Sequence, residues 1–474
     1  MTVSAWAEEP TERGRRMTAD AVRRPFWLDR PERPEARPAL RGDRRCDLLV
    51  IGAGFTGLWA AVQAIEADPD RQVILVDRDR VAEQASGRNG GFCSASITHG
   101  LSNGMSRFAD ELPTLLRMGD ETLDEIEKAV HRLGVDADLE RTGELDIANF
   151  DWQVDAVRDG VEEAVALGRD TTFHDKEDAR SKVRSPMVAA AAHDPAVIML
   201  DPAKLAWGLA AAAERLGVVI CENTEITGLR RRGRGVHAES PRGSVTANKV
   251  IVATAAARPL RRWNRWGTVP VWDYVLMTAP LTDAQRASIG WDGREGVADG
   301  GNRFHYFRLT TDNRILFGGW DAVYRYGSDR DDRHSSDDHE FAVLAEHLLQ
   351  MFPQLEGIEI THAWGGAIDT SSRFCAYWHT SMRGRVVSVL GFTGLGVGAS
   401  HFGARTALDL VDGHDTERTR LQMVRTRPIP FPPEPLRWIG ITITRRQFAR
   451  ADRSQGRRGI WLRTMDKVGL GFDS

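Results

Sequence analysis

One stretch, residues 46–77, constrains the fold of this chain more than any other. Residues 47–51 form a short, mostly apolar run rich in β-branched side chains, which is typical of a buried parallel strand. A helix is predicted over 58–67 and a second apolar strand over 73–76. A strand, a helix and a second strand in this order predict a parallel βαβ unit, and therefore an α/β domain.

The turn between the first strand and the helix carries the spacing GxGxxG. Gly52 allows a tight turn, Gly54 lets the backbone approach a pyrophosphate, and Gly57 lets the helix pack closely on the strand. The helix N-terminus offers free N–H groups to a phosphate, and Asp77 stands where an acidic residue binds a ribose hydroxyl. The unit predicts a dinucleotide site. The alternative is a glycine-rich turn in an α/β domain without a ligand.

The composition limits the possible partners. The 474 residues are 42% hydrophobic and 27% charged, as in a globular protein with a substantial core, and the length allows about three domains. A net charge of −4 and a pI of about 6.4 predict neither a nucleic-acid nor a membrane partner. The four cysteines are far apart, which predicts free thiols in a reducing cytoplasm and no metal site.

Both ends of the chain are predicted to be extensions. Residues 1–45 are rich in proline and charge and lack the apolar segment of a signal peptide. Within them, residues 26–28 (Phe-Trp-Leu) are either an apolar clip that packs on the body or a partly exposed loop. Residues 414–474 contain a proline-rich connector and a basic tail, expected to be solvated or to dock on a subunit. The longest uncharged run, 386–404, is too glycine-rich to span a membrane.

Glycine-rich loops recur later in the chain. Residues 86–91, Ser-Gly-Arg-Asn-Gly-Gly, form one that is suited to wrap a cofactor or is simply flexible. An apolar strand predicted over 249–254 returns the chain to the first sheet. A third unit has a strand over 386–390, glycines over 391–398 and a helix over 399–411. It predicts a second helix N-terminus with bare backbone against a ligand.

Aromatic side chains concentrate in residues 261–360, where several short apolar runs predict an antiparallel sheet. Such side chains either grip a ligand or fill a core. The candidate pocket residues in this stretch are His305, Tyr306, Tyr274 and Trp320. Glu144 and Asp146, on another predicted strand, are candidate acid–base residues, with a solvated or structural role as the favoured alternative.

These features, in this order, resemble the D-amino-acid oxidase superfamily of FAD enzymes, which includes glycine oxidase and sarcosine oxidase. Within it, the segments 86–91, His99-Gly100, Trp364-Gly365-Gly366 and 391–398 are most similar to the gamma-glutamylputrescine oxidoreductase group. The resemblance covers roughly residues 46–412. It implies an α/β fold: a Rossmann-like FAD-binding domain with a second, antiparallel-sheet substrate domain of the glutathione-reductase-2 type.

The resemblance also implies domain boundaries and cofactor contacts. It assigns residues 46–100, 200–260 and 361–413 to a discontinuous FAD-binding domain, and residues 101–199 and 261–360 to the substrate domain, between extensions at 1–45 and 414–474. The residues it places against FAD are Gly52, Gly54, Phe55, Thr56, Gly57, Asp77, Arg78, Ser86, Gly87, Arg88, Asn89, Gly90, Gly91, Gly394, Leu395, Gly396 and Val397.

Three departures from the family pattern matter. Glycine oxidase has a carboxylate-binding arginine shortly after its tryptophan–glycine turn; this chain has Asp369 there, which favours a cationic amine, and Arg373 is the nearest alternative carboxylate ligand. Where sarcosine oxidase has a lysine that helps oxygen react, the matching strand here has Leu316. Sarcosine oxidase tethers FAD to a cysteine, but Cys375 lies too far along the chain, so non-covalent FAD is expected.

The resemblance implies oxidation of the C–N bond of an amine, such as a gamma-glutamylated polyamine, by hydride transfer to flavin. The imine product hydrolyses to a carbonyl, and O2 or another electron acceptor reoxidises the cofactor. The candidate catalytic residues are His305, Tyr306, Trp320 and Asp369. The alternatives are an amino-acid oxidase, an amine dehydrogenase and a non-catalytic FAD-binding assembly or regulatory protein. The sequence predicts neither the exact substrate nor the oligomeric state.

Overall fold

Two eight-stranded sheets organise the protein in the computed structural model, which describes residues 5–261 and 263–467. The other residues of the two predicted extensions lie outside this described part. The strands are β1 (Gly42–Ile51), β2 (Val73–Val76), β3 (Phe92–Ser94), β4 (Glu144–Ala148), β5 (Thr172–His174), β6 (Ala190–Asp194), β7 (Val197–Met199), β8 (Val219–Cys221), β9 (Gly228–Arg232), β10 (Gly235–Ser240), β11 (Gly243–Val252), β12 (Thr268–Thr278), β13 (Gly296–Asp299), β14 (His305–Leu309), β15 (Ile315–Val323), β16 (Ile360–Ser371), β17 (Tyr377–Ser381) and β18 (Val386–Leu390).

The helices surround the two sheets. They are α1 (Glu12–Thr18), α2 (Phe55–Ala67), α3 (Leu101–Phe108), α4 (Leu112–Arg132), α5 (Val154–Ala166), α6 (Lys176–Lys182), α7 (Pro202–Arg215), α8 (Asp283–Ile289), α9 (Asp338–Met351), α10 (Ala399–Asp412), α11 (Glu417–Arg420), α12 (Gln422–Arg425), α13 (Leu436–Arg453) and α14 (Ile460–Lys467).

The first sheet is the nucleotide-binding type that the sequence predicts. Its order is β17-β18-β11-β1-β2-β8. β1 pairs in parallel with β2 and β11, and the parallel pairing continues outwards to β8 and β18. β9 and β10 add an antiparallel hairpin on β11, and α2 packs between α7 and α10. Parallel strands joined by crossover helices confirm the predicted α/β class.

The second sheet is mostly antiparallel, as predicted. Its order is β16-β12-β15-β14-β13-β4-β6-β5. β12 lies between β15 and β16 and runs antiparallel to both, while β13 and β4 pair in parallel. Helix α9 packs against β12 and β15. The other side of this sheet is therefore left to face the first sheet and its loops.

The chain changes sheets later than the sequence indicates. The sequence assigns residues 361–413 to the FAD-binding domain, but β16 pairs with β12 along most of its length, in the second sheet. The change comes after Ser371, where β17 and β18 join the first sheet. An apolar strand does not carry in its own sequence the identity of the strand it pairs with, because cross-strand contacts and burial decide that.

Most aromatic side chains of residues 261–360 fill the core under α9. Trp272, Tyr274, Phe307 and Phe317 are fully buried in one apolar cluster with Phe341 of α9. Phe307 and Phe317 lie with ring centroids 5.3 Å apart. The packing interpretation therefore holds for these rings.

The N-terminal extension packs on the body of the protein. Trp27 and Leu28 are buried, and Trp27 Nε1 donates to the carbonyl of Asn89 at 2.9 Å. Arg30 pairs with the buried Asp201, and Val22 forms a bridge to β16. Residues 26–28 are thus an apolar clip and not an exposed loop.

The prediction of a solvated C-terminal tail is wrong. Helices α13 and α14 pack on each other and are fixed to the second domain, where Arg445 binds Asp321 of β15 and Asp452 accepts a hydrogen bond from the backbone N–H of Asn302. The basic composition that suggested a solvated tail belongs to a helix whose other face is apolar. The partner surface for that face exists only once the second sheet has formed.

Candidate active site

A cavity of about 1170 Å³ lies between the two sheets. From the first domain it is lined by the start of α2, by the loop 85–90 and by the loop 392–397; from the second domain it is lined by the face of the central strands β12, β15 and β16. Strand ends and helix N-termini of an α/β sheet meet an antiparallel sheet here. Such a crevice is the usual place for a ligand in this type of fold.

The first glycine turn requires glycine at two positions. Gly52 has φ +109°, and a Cβ there would lie 2.3 Å from the carbonyl oxygen of Ala253. A Cβ on Gly57 would lie 1.8 Å from the carbonyl oxygen of Gly52. Close packing of turn, strand and helix aims the N-terminus of α2 into the cavity, where Gly54, Phe55 and Thr56 line the wall. The N–H of Phe55 donates to Ser86 Oγ at 3.0 Å.

Asp77 holds this turn in place. Its Oδ2 accepts from the N–H of Ala53 at 2.6 Å and its Oδ1 from the N–H of Asp79 at 2.8 Å. Burial raises the pKa of Asp77 to about 6, against the effect of the two N–H donors. Asp77 and Arg78 do not line the cavity. The predicted ribose contact of Asp77 stays a prediction, since each carboxylate oxygen has a second lone pair.

The loop 86–91 is pinned from several sides. Arg88 is buried and donates to Glu83 O, Gly365 O and Asp332 Oδ1, the last at 2.8 Å. Asn89 bonds the backbone of its own loop. Ser86, Arg88, Asn89 and Gly90 line the cavity, but the contacts of Arg88 show that it positions the loop.

The second glycine loop lines the opposite part of the cavity. Gly391, Thr393 and Gly394 all have positive φ, at +85°, +55° and +97°. The N–H of Gly391 donates to Asp369 Oδ2 at 2.5 Å, so this carboxylate holds the loop. Asp369 also lines the cavity, and its predicted contact with an amine stays a prediction. Burial raises the pKa of Asp369 to about 7. Gly394, Leu395, Gly396 and Val397 follow along the cavity wall.

This arrangement fits an extended dinucleotide. The cavity runs without interruption from the helix N-terminus at Gly54 to the turn at Gly394. A Cβ on Gly54 would lie 2.8 Å from Ser86 Oγ, whereas the atom nearest to an ideal Cβ position on Gly394 is 4.0 Å away. Bare backbone at both ends leaves room for phosphates at one end and a planar ring at the other.

Tyr306 and Asp273 form a hydrogen-bonded pair on the sheet face that lines the cavity. Tyr306 OH donates to Asp273 Oδ2 at 2.6 Å. Burial raises the pKa of Asp273 to about 6, and burial with the neighbouring carboxylate raises the pKa of Tyr306 well above its usual range. Because side chains alternate along a strand, their neighbours Tyr274 and His305 point the other way, into the core.

His305 is therefore not a cavity residue, contrary to the prediction from sequence. It is fully buried, its Nδ1 lies 2.7 Å from Asp299 Oδ2, and its Nε2 lies 2.9 Å from Nδ1 of His347. Trp320, next along this aromatic group, does line the cavity. Its other face packs on His305, with ring centroids 5.2 Å apart, and the guanidinium of Arg303 lies 3.9 Å from its ring centroid.

The charges around the cavity are uneven. Each arginine that lines it is bound to the protein itself, and the five pairs are Arg88–Asp332, Arg169–Asp120, Arg303–Glu8, Arg437–Ser328 and Arg445–Asp321. Glu144 and Asp146 also line it. Glu144 is half-buried, and Asp146 is exposed to the cavity. Partial removal of water by the cavity walls, then repulsion from neighbouring carboxylates including Asp194, raises the pKa of both. Within the described residues neither forms an ion pair with a basic side chain.

Three residues singled out from the sequence lie outside the cavity. Arg373 is buried, and its N–H groups donate to the carbonyls of Ala376, Met423 and Thr426. Leu316 and Cys375 are fully or almost fully buried in the core. Among the described cavity-lining residues there is no lysine and no cysteine.

Sequence reasoning missed Asp273. Its signal was present, because it is the one charged residue of β12, an otherwise apolar strand. Sequence reasoning also gave no place in the cavity to His99 or Phe374, whose rings lie 6.4 Å apart and which both line it. Burial lowers the pKa of His99 to about 4, so its ring is neutral at physiological pH. Loop positions such as these carry no periodic signal.

A parallel nucleotide sheet whose glycine turns face a cavity beneath an antiparallel sheet defines a two-domain flavin-dependent oxidoreductase. The family of FAD-dependent oxidoreductases known as DAO matches residues 47–410, and the chain belongs to it. The protein is thus an FAD-dependent oxidoreductase. In residues 5–261 and 263–467, no helix has the length and apolar character needed to cross a bilayer.

Relatives extend over most of the chain. It is 30% identical over 383 residues to gamma-glutamylputrescine oxidoreductase of Escherichia coli, which covers 79% of this chain and 85% of that protein. It is 26% identical to the probable oxidoreductase OrdL of Haemophilus influenzae, over 83% of this chain and 89% of that protein. The crystal structure of glycine oxidase from Geobacillus kaustophilus has a TM-score of 0.68 at 19% identity, covering 81% of this chain and 100% of that one.

Proposed function

We propose that this protein oxidises the C–N bond of an amine that binds as a cation. Bound FAD supplies the hydride acceptor for the carbon next to the amine nitrogen. We propose that Gly52, Gly54 and the N–H groups at the start of α2 hold its pyrophosphate. The loops 86–91 and 394–397 then enclose the rest of the FAD molecule, which is not covalently linked to the protein. Water hydrolyses the released imine to a carbonyl.

The observation that carries this proposal is the charge pattern of the cavity. Its arginines are all paired within the protein, whereas Glu144 and Asp146 are not paired with a base among the described residues. A carboxylate on the carbon next to the reacting amine would find no free guanidinium here, because Arg373 lies buried elsewhere. Both acids have a raised pKa, and a bound ammonium group would favour their ionised forms. This favours an amine over an amino acid.

Asp273 is suited to receive the proton that the amine must lose. An alkylammonium has a pKa near that of lysine, about 10.4, and must give up its proton before its lone pair can stabilise the forming C=N bond. The pKa of Asp273 is raised to about 6 by burial, so it is ionised at neutral pH yet basic for a carboxylate. Tyr306 fixes its orientation through the 2.6 Å hydrogen bond.

The similarity to gamma-glutamylputrescine oxidoreductase supports a polyamine derivative, such as a gamma-glutamylated polyamine, as the first substrate to try. For the electron acceptor, O2 is the first proposal. An amine dehydrogenase that uses another acceptor is the second candidate, and the absence of lysine from the described cavity lining favours it.

Anaerobic mixing of the FAD-loaded protein with amines and amino acids tests the proposal. We expect putrescine and gamma-glutamylputrescine, whose terminal amine has no carboxylate beside it, to bleach the visible flavin absorbance. We expect simple α-amino acids to leave it unchanged. Readmitting air then distinguishes the acceptors: return of the colour with peroxide indicates an oxidase. Bleaching by amino acids and not by amines would contradict the amine assignment, and bleaching by neither would favour a non-catalytic FAD-binding protein.

A matched pair of variants tests the acidic wall. Asp146→Asn should raise the KM for amines about tenfold or more and leave kcat within about twofold, because a hydrogen bond to a charged group contributes about 1.5–3 kcal/mol. Asp155→Asn on α5 is the control, since Asp155 is exposed and pairs only with Arg158 among the described residues. Equal KM values for the two variants would remove Asp146 from the site.

A further inference from the structure

The C-terminal helices stand outside the part of the chain that the family shares. The family match ends at residue 410, and glycine oxidase is covered over its full length by 81% of this chain. Residues 429–465 nevertheless build a continuous part of the cavity wall. In this chain, the cavity wall therefore includes residues that lie outside the family match.

The start of the extension is fixed to strand β12. Phe431 and Ile441 pack against the buried cluster of Val269, Val271 and Tyr324. Glu434 Oε1 accepts from Tyr324 OH at 2.5 Å and from the N–H of Gly327 at 3.1 Å. The first half of α13 is thereby held over the end of the second sheet.

The rest of the extension is fixed by charged side chains. Arg445 Nε donates to Asp321 Oδ1 at 3.0 Å on β15. Asp452 accepts from the N–H of Asn302 at 3.1 Å and from its Nδ2 at 2.8 Å. At the turn after α13, Gly456 lies against the ring of Trp152. These contacts run from the central strands to the far edge of the cavity, so the helices cannot be displaced from one end alone.

The face that α13 turns to the cavity carries apolar side chains beside Arg437, Thr444 and Arg445. The lining residues of α13 are at positions 436, 437, 440, 441, 444, 445 and 448, which is the spacing of one helix face. The two arginines of this face are paired, with Ser328 and Asp321. The apolar lining residues of the extension are Ile429, Pro430, Phe431, Pro432, Leu436, Ile441, Phe448, Trp461 and Met465.

We propose that residues 429–465 form a specificity wall that binds the apolar body of the substrate, an amine carrying an alkyl chain of several methylenes or an aryl group. The proposal rests on the amine function argued above and names the substrate class of the same cavity. The acids Glu144 and Asp146 attract the charged end, and the wall removes the apolar part from water, which contributes roughly fourfold in affinity for each methylene that is fully buried.

Gly440 provides a way to test the wall without disturbing its packing. It lies in the second turn of α13, lines the cavity, and has no atom within 4 Å of an ideal Cβ position. A side chain added there projects into the cavity. Gly440→Trp should fill part of the space, while Gly440→Ala adds a methyl group and favours the helix. Ile439→Trp is the matched control for bulk, because Ile439 is 42% exposed on the outer side of the same helix.

The probes are 1-propanol and 1-hexanol, measured by calorimetric titration of the FAD-loaded protein. These alcohols carry the apolar chain without an amine, so their affinities measure binding to the wall independently of the oxidation reaction. We expect the parent, Gly440→Ala and Ile439→Trp to bind 1-hexanol at least tenfold more tightly than 1-propanol, and Gly440→Trp to bind the two within about twofold. If Gly440→Trp melts early or lacks FAD, Gly440→Leu takes its place.

Equal affinity for the two alcohols in the parent, or an unchanged preference in Gly440→Trp, would overturn the proposal. Propylamine and hexylamine, in the anaerobic bleaching assay, form a separate arm. If neither amine bleaches the flavin while the alcohols behave as expected, the amine function is wrong and the apolar wall stands. If both amines bleach it but the alcohols are not distinguished, the wall is wrong and the amine function stands.

Discussion

The pentapeptide Gly-Phe-Thr-Gly-Leu occurs twice in this protein, at 54–58 and at 391–395, and has a different conformation each time. In the first copy α2 begins at the phenylalanine, and Gly57 lies inside the helix. In the second copy the chain turns with positive φ at Gly391, Thr393 and Gly394, and α10 begins only at Ala399. Both copies follow a strand of the same sheet and line the same cavity.

The surroundings explain the difference. After the first copy come Trp59 and a run of helix formers, whereas Gly396 and Gly398 follow the second and disfavour a helix. Tertiary contacts strengthen each choice: Ser86 Oγ accepts from the first N–H of α2, and Asp369 holds the N–H of Gly391. Five identical residues therefore serve as a helix start at one end of the cavity and as an open loop at the other.

The largest expected difference between the two copies is in the effect of a substitution at the fourth residue of the pentapeptide, which is Gly57 in the first copy and Gly394 in the second. Gly57→Ala should lose FAD and destabilise the protein by about 3 kcal/mol or more, because overpacking against rigid backbone leaves no room for relaxation. The added Cβ would lie 1.8 Å from the carbonyl oxygen of Gly52. The flavin-to-protein absorbance ratio after purification and the midpoint of urea unfolding measure both effects. Purification with a full complement of FAD would show that the first turn does not bind the cofactor as proposed.

The next expected effect is a change in the pH dependence of stability. The pKa of Asp369 is raised to about 7 by burial, above its usual value near 3.9. The folded state keeps the proton while the unfolded state loses it, so this carboxyl lowers the free energy of unfolding as pH rises from about 4 to 7. Asp369→Asn retains an oxygen acceptor for Gly391 and removes the titration.

The free energy of unfolding should therefore depend more steeply on pH in the parent than in Asp369→Asn. Chemical denaturation at pH 5 and pH 8 should show the parent losing up to about 2.7 kcal/mol more than the variant, because about two pKa units lie between pH 5 and the folded pKa, at ~1.4 kcal/mol per unit. Asp155→Asn is the control, because Asp155 is exposed on α5, and it should leave the slope as in the parent. Parallel pH profiles for parent and Asp369→Asn would contradict the role assigned to Asp369.

Gly394→Ala is the counterpart of Gly57→Ala in the second copy and should be milder. The nearest atom to a Cβ at Gly394 is 4.0 Å away, so the cost arises from φ +97° alone. Such backbone strain costs about 1–3 kcal/mol. We expect FAD to be retained and the unfolding midpoint to fall moderately. A loss of FAD equal to that of Gly57→Ala would mean that the two copies tolerate side chains alike.

The smallest expected effect separates the two threonines. Thr393 Oγ1 accepts from the N–H of Ser371 at 3.2 Å and donates to the carbonyl of Gly391 at 3.0 Å. Thr393→Val should cost about 1 kcal/mol through these bonds. Thr56→Val changes the first turn of α2 to a residue of similar helix propensity and should cost less. Urea unfolding of the FAD-free proteins gives both values, and equal costs would show that the loop does not depend on Thr393.

Residue patterns alone determined the nucleotide domain. The glycines of the GxGxxG turn and of 391–398 allow the backbone to approach other groups closely. The apolar runs before and after the first turn indicate buried strands, and only a few folds combine these features. The returning strand over 249–254 was also correctly placed in the first sheet. Backbone geometry and strand burial are local requirements, and each restricts the residue types at consecutive positions of the sequence.

The tertiary structure decided which faces of the strands and helices pack against each other and which line the cavity. Strand alternation put Tyr306 and Asp273 on the cavity side and His305 in the core, yet both His305 and Tyr306 suit either side. The tertiary structure also placed β16 in the second sheet and packed the basic C-terminal segment against the cavity as part of its wall. The physical reason is common to these cases. Burial and pairing are properties of two surfaces together, and one chain segment encodes only its own.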